Sequence, residues 1–295
     1  MHDEKKILPF AALFVGIISI SWSAIFVRWT DMSGVASAFY RVLIASIALW
    51  IILLAQRGSR LRISSRSVPL SALGGIFFAA DVGLYNVAVL HTSAGSATFL
   101  GNNAPIVVGL VTWFLTRKLP SFRFWVALAI AILGTCLIVS IDWNHMRSSS
   151  SADLLASIAS ICFAFYLLTT ERLRTNTDTV TIVVLSTTAS AAALLVFSFA
   201  AHISLAIPGF QSLLAVAGLG FICQLTGYFC LTYALGHVPA TVSSIVLLAV
   251  APITALLAFF LFGEQMTRLQ ILGGGFILAA VWIIANQPQP SSLET

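Results

Sequence analysis

Arg41 and Asp81 are the first residues on which chemistry is expected. Each stands inside a long apolar run of a chain in which 59% of 295 residues are hydrophobic and only 8% are charged. A charge held far from water is costly, and it usually faces protein or a wet cavity. Arg41 lies about two turns in from one end of its run, roughly 10 Å at 1.5 Å per residue, and is long enough to snorkel outward or to reach a partner. Asp81 lies nearer the middle of its run and snorkels less easily. The plainest reading is that these two, or Asp81 and polar neighbours, satisfy each other. The sharper ones are proton coupling through the Asp81 carboxylate and a ligand carboxylate held by the Arg41 guanidinium.

Uncharged polar and aromatic groups follow. Asn102, Asn103 and Gln224 each bring two donors and an acceptor that hydrocarbon does not satisfy, so they glue helices together or face a cavity. Tyr85, Tyr228 and Tyr233 combine a flat apolar body with a hydroxyl, which suits stacking on a small molecule. Trp22 and Phe165 belong with them and correspond to each other at a separation of 143 positions. Packing, or a place in an interfacial belt, is the alternative for every ring.

Several chemistries are excluded by pattern. There is no G-x-x-x-x-G-K-[ST] loop, so ATP hydrolysis is not the direct source of energy. There is no H-E-x-x-H, no G-x-S-x-G and no paired-aspartate cluster, and His2, His91, His145, His202 and His237 fall at or near loops. No catalytic residue, metal site or cofactor is expected. Cys136, Cys162, Cys223 and Cys230 lie inside apolar runs without metal-ligand spacing and read as small apolar filler.

The elements that must hold these groups are membrane helices. A soluble domain carries roughly 25% charged residues, and a helix needs about 20 mostly apolar residues to cross a bilayer. Charges and turn residues cut this chain into ten such runs, 9–27, 34–55, 68–90, 94–116, 122–141, 152–170, 180–201, 211–235, 239–262 and 268–286. The sequence therefore describes an all-α, polytopic membrane protein whose main partner is the lipid bilayer. It sets no oligomeric state, and a monomer is compatible with it.

Lys and Arg distribute by loop. With the N-terminus inside, eleven fall on the cytoplasmic side, three (Arg28, Arg147, Arg268) fall outside, and Arg41 is left within a span. That bias puts both termini, with a tail at 287–295, in the cytoplasm. The net charge of +5 follows from topology, and no nucleic-acid partner is expected.

The chain also repeats itself. A shift of 147 positions lays Pro105 on Pro252, Ser96 on Ser243 and Arg117-Lys118 on Glu264-Gln265. Each copy carries a proline inside an apolar run. Mid-helix proline removes a donor and clashes with the carbonyl four residues back, here that of Gly101 or Leu248, so helix breaks are expected at both. Such breaks at corresponding places in two halves point to a ligand site near the midplane. Five spans per half is an odd number, so residues 8–141 and 152–286 form a 5+5 inverted repeat. The charges agree: Arg28, at the end of the first span, aligns with Glu171 at the end of the sixth.

Two units with a small-residue turn leading into a proline-containing fourth helix, TSAGSAT with Pro105 and VPATVSS with Pro252, followed by GEQMTRLQILGGGFILAAVWII, resemble the EamA-type repeats of the drug/metabolite transporter superfamily. The resemblance covers residues 8 to 286 and is nearest to the YddG-type exporters of amino acids, aromatic ones included. It implies a secondary transporter of the inner membrane that takes a small-molecule substrate by alternating access through a cavity between the halves. Other transport specificities (cationic drugs, sugars, nucleotide precursors) and a non-transporting receptor or scaffold are the alternatives. The sequence departs from the family pattern in one step: Gly263-Glu264 of the second half is Thr116-Arg117 in the first.

Overall fold

Apolar runs of this length must satisfy their backbone internally, and the chain does so with helices. The computed structural model describes residues 4–57, 67–92, 97, 100–101, 103–139 and 143–286, and all the regular elements among them are helical. In order they are α1 (Glu4–Ser21), α2 (Ser23–Trp29), α3 (Gly34–Arg57), α4 (Ser67–His91), α5 (Ala104–Thr116), α6 (Phe122–Val139), α7 (Trp143–Arg174), α8 (Thr179–Ala200) and α9 (Phe210–Gly218). There follow α10 (Leu219–Tyr228), wound as a π-helix, α11 (Phe229–Leu235), α12 (Ala240–Leu247), α13 (Val250–Phe262) and α14 (Arg268–Ala285). Eight stretches of the described residues are long and apolar enough to cross a membrane, and α5 and most of α6 are shorter apolar helices. The chain is a multi-pass membrane protein.

Among the described residues, some of these runs are not uniform α-helix. The first breaks at Trp22, between α1 and α2. The break is held from the other half of the chain: Thr254 Oγ1 donates to the Ser21 carbonyl at 3.0 Å. The eighth expected run is one rod, α9 to α11, whose middle ten residues widen to π geometry. The ninth breaks at Leu248-Ala249, between α12 and α13.

The two prolines, expected to break their helices, stand in first turns. Pro105 is the second residue of α5 and Pro252 the third of α13. There the absent N–H has no intrahelical acceptor to lose. The carbonyl that Pro252 would leave open, Leu248 O, accepts from Ala251 N at 3.1 Å, a 3₁₀-type contact. Each proline therefore starts a helix of 13 residues.

Small residues set the closest crossings. A Cβ on Gly16 of α1 would lie 3.1 Å from the carbonyl of Gly227 in α10, so these backbones pack almost in contact. At the centre, α4 lies against α3, α7 and α8. The core is a cluster of rings: Phe78 stands 4.8 Å from Tyr166 and 4.6 Å from Tyr228, centroid to centroid.

Candidate functional site

Arg41 sits at the middle of this ring cluster and is only 1% exposed. It projects from the second turn of α3, where α10 and the broken first crossing come together. Its Nε donates to Gln224 Oε1 at 3.0 Å and its Nη1 to Ser23 Oγ at 2.9 Å. Its guanidinium carbon lies 5.2 Å from the Tyr228 ring centroid and 5.9 Å from that of Phe78, within cation–π range. The remaining Nη2 is buried and has no hydrogen-bond partner among the described residues. A buried donor on a permanent cation is costly to leave unmade.

A cavity opens beside it. Its wall is made by Arg41 and Asp81, by Tyr85 and Tyr228, and by Ser23 and Phe163, with Gly101 and Leu247 closing it. Asp81 is 7% exposed, and the ion pair found among the described residues, Arg28 with Glu264, does not involve it. One guanidinium and one carboxylate therefore face the same small space among aromatic rings. The cavity volume is about 40 Å³, enough for a few waters and far below the roughly 300 Å³ at which ligand pockets begin. Admitting a larger guest requires the surrounding helices to separate.

The sequence-predicted residues divide clearly. Arg41, Asp81, Tyr85 and Tyr228 come together in this wall, and Gln224 stands behind it as the partner of Arg41. Asp81 with Gln224 and Tyr85 with Tyr228 are each separated by 143 positions, the same interval as Trp22 and Phe165. Trp22 and Phe165 stand apart from the cavity: Trp22 stacks on Phe26 at 5.7 Å and Phe165 on Phe77 at 5.1 Å. Asn103 precedes α5, where its Nδ2 donates to Leu100 O at 3.2 Å, and it borders a second, much smaller void with Pro105 and Leu248. Asn102 lies outside the described residues. Tyr233 packs against His237 with the rings tilted by 41° and their centroids 4.8 Å apart.

Sequence reasoning missed Ser23, Phe163 and Tyr166. Ser23 follows the break at Trp22, which no local residue signals. Tyr166 matches Ser23 at the interval of 143, a signal available in the sequence.

A second polar cluster lies at the end of the first crossing. Arg28 Nη1 is ion-paired with Glu264 Oε1, 236 positions away, and Arg28 Nη2 donates to Thr92 O at 2.9 Å. The guanidinium also lies 5.3 Å from the Phe262 ring, and Trp29 packs edge-on against that ring at 6.3 Å. Glu171, the matching position in the second half, does something different: its Oε1 accepts from Ala240 N at 2.8 Å, at the start of α12.

A helical membrane protein with broken crossings and a buried cavity bearing both signs of charge has the architecture of a membrane transporter. The chain belongs to the EamA-like transporter family, whose profile matches residues 8–140 and again 150–286. It is 26% identical over 252 residues to the uncharacterized transporter YwfM of Bacillus subtilis, covering 85% of this chain and 83% of that one. It is also 26% identical over 256 residues to a probable terminal-alkyne amino-acid exporter of Streptantibioticus cattleyicolor, covering 86% of this chain and 85% of that protein. A crystal structure with 15% sequence identity superposes with a TM-score of 0.75 over 96% of this chain and 98% of that one, a likeness of fold alone.

Proposed function

We propose that this protein is a secondary transporter that exports small zwitterionic metabolites, amino acids including aromatic ones, across the inner membrane. In this reading ten spans form a 5+5 inverted repeat of residues 8–141 and 152–286, with both termini and the 287–295 tail in the cytoplasm. The observation that carries the reading is the cavity whose wall holds both Asp81 and Arg41, whose Nη2 has no hydrogen-bond partner among the described residues, together with Tyr85, Tyr228 and Phe163. An α-amino acid matches that wall: its carboxylate opposite the guanidinium, its ammonium opposite the carboxylate, its side chain against the rings. The Streptantibioticus relative named as an amino-acid exporter supports the same class.

The small free volume supports alternating access, because a cavity of about 40 Å³ admits an amino acid only after helices part. The two halves rock about the cavity, with α5 and α13 beginning at Pro105 and Pro252 among its moving walls. Substrate leaves when the opposite side opens. Asp81 is the group through which proton coupling would act.

The test is counterflow in proteoliposomes with a panel of labelled amino acids, with and without a pH gradient. Accelerated exchange of amino acids, abolished in Arg41→Ala, is the expected result. Asp81 in the wall favours a second reading, a cationic substrate of another drug/metabolite specificity. Exchange of organic amines but not of amino acids would select it. No flux of any solute would leave a receptor or scaffold.

A further inference from the structure

Arg28 and Glu171 correspond at an interval of 143, and each ends the first helical crossing of its half. Each also holds the peptide bond that leads into the fourth crossing of its own half. Arg28 donates to the Thr92 carbonyl, and Glu171 accepts from the Ala240 N–H. Peptide bonds 92–93 and 239–240 correspond at the shift of 147. The charge is inverted between the halves, and the peptide group it binds is inverted with it, from C=O to N–H.

Arg28 has a second partner, Glu264 of the other half, just past the end of α13. The counterpart of Glu264 is fixed by helix ends. The residue after α5, Arg117, and the residue after α13, Gly263, are both left-handed, with φ of 56° and 66°, and both helices have 13 residues. That register, an interval of 146, lays Lys118 on Glu264. It is one residue away from the register of the prolines. The cross-half pair of an arginine and a glutamate therefore has a sequence counterpart of opposite polarity, Glu171 with Lys118. Here Lys118 is exposed, and the Glu171 bond that the structure shows is to Ala240.

The aromatic seal at the Arg28 end is not repeated. The positions that match Phe26, Trp29 and Phe262 are Thr169, Arg172 and Thr116. Burial follows this difference: Ala258 is buried and Phe262 half-buried, whereas their matches Thr112 and Thr116 are half-buried and exposed. The Arg28 end carries these rings with the ion pair, and the matching positions carry no ring.

We propose that Glu171 and Lys118 form the counterpart of the Arg28–Glu264 ion pair, closing the opposite end of the molecule when Arg28 and Glu264 separate. The two pairs are alternative: each forms in the state in which the other is apart. This rests on the inverted-repeat, alternating-access reading above, and adds to it the residues that hold each end shut.

The experiment uses full-length protein in proteoliposomes with Cys136, Cys162, Cys223 and Cys230 replaced by alanine. Lys118→Cys/Glu171→Cys is treated with a short bismaleimide, with Glu264 intact and with Glu264→Gln. Breaking the Arg28 pair is expected to raise the cross-linking rate several-fold. In a second measurement, the single Lys118→Cys is labelled with a charged maleimide, and labelling is expected to slow several-fold in Glu264→Gln. Rates of cross-linking and labelling that are indifferent to Glu264→Gln overturn the proposal. Neither readout depends on which solute moves, so a failure of amino-acid flux with responsive thiols counts against the substrate and leaves the gate standing.

Discussion

Arg41 Nε and Gln224 Oε1, 183 positions apart, meet at 3.0 Å and join the second helical crossing to the π-helical segment of the other half. The bond orients a buried cation, one of whose nitrogens has no hydrogen-bond partner among the described residues. Gln224→Glu sets an anion against Nε and neutralises the guanidinium from behind. Initial-rate uptake should then show a KM for amino acids raised about tenfold or more, equivalent to about 1.4 kcal/mol of lost binding, with kcat less affected. Arg41→Lys keeps the charge and loses the planar fork, and its KM should rise as well.

Asp81 presents the opposite charge to the same space. In Asp81→Asn the wall loses its anion and its capacity to take up a proton at nearly constant volume. Counterflow that no longer responds to a pH gradient, while thermal stability in detergent stays close to that of the parent, is the expected outcome. Unchanged pH dependence with full flux would remove Asp81 from coupling.

Most of the apolar runs were legible in the sequence as helices, and of the interruptions only the one just ahead of Pro252 was signalled there. The runs expected at 180–201 and 268–286 are α8 at Thr179–Ala200 and α14 at Arg268–Ala285, because charge and turn residues mark their ends. The break at Trp22 depends on Thr254 reaching the Ser21 carbonyl, a contact between halves that no local pattern encodes. The π geometry of Leu219–Tyr228 is likewise a matter of packing: a Cβ on Gly220 would lie 2.6 Å from Ile44, so the register of that segment is fitted to its neighbour. Of the candidate residues, the two intramembrane charges and the two tyrosines at matching positions meet in one wall. The rings of Trp22 and Phe165 pack elsewhere, on Phe26 and Phe77, since ring type alone does not say which face of a helix is inward.

Gly134 and Gly275 separate packing from propensity. An added Cβ on Gly134 of α6 would lie 2.6 Å from the backbone oxygen of Gly273 in α14, whereas one on Gly275 meets nothing within 4 Å. Gly134→Ala forces the two helices apart and should cost about 1–3 kcal/mol. Gly275→Ala adds helix propensity without a clash and should be neutral or stabilising by up to about 1 kcal/mol. Thermal unfolding in detergent reads both: the midpoint falls for the first and holds or rises for the second.

The two left-handed helix ends make the last case, because equivalent positions should respond unequally. Gly263 has a φ of 66° and open space where a Cβ would stand, so Gly263→Ala meets no atom and its cost is the backbone strain alone, about 1–2 kcal/mol. Arg117 already bears that strain at a φ of 56°, and its guanidinium carbon lies 5.0 Å from the Phe114 ring. Arg117→Gly relieves the strain. It also gives up about 0.5–1 kcal/mol of chain entropy and about 0.5–1 kcal/mol of exposed cation–π contact. Those terms nearly cancel, so Arg117→Gly should shift the unfolding midpoint little while Gly263→Ala lowers it clearly. A large gain in Arg117→Gly would mean that the ring contact contributes nothing, and Arg117→Asn, which tolerates the left-handed region without the cation, would then show the same gain.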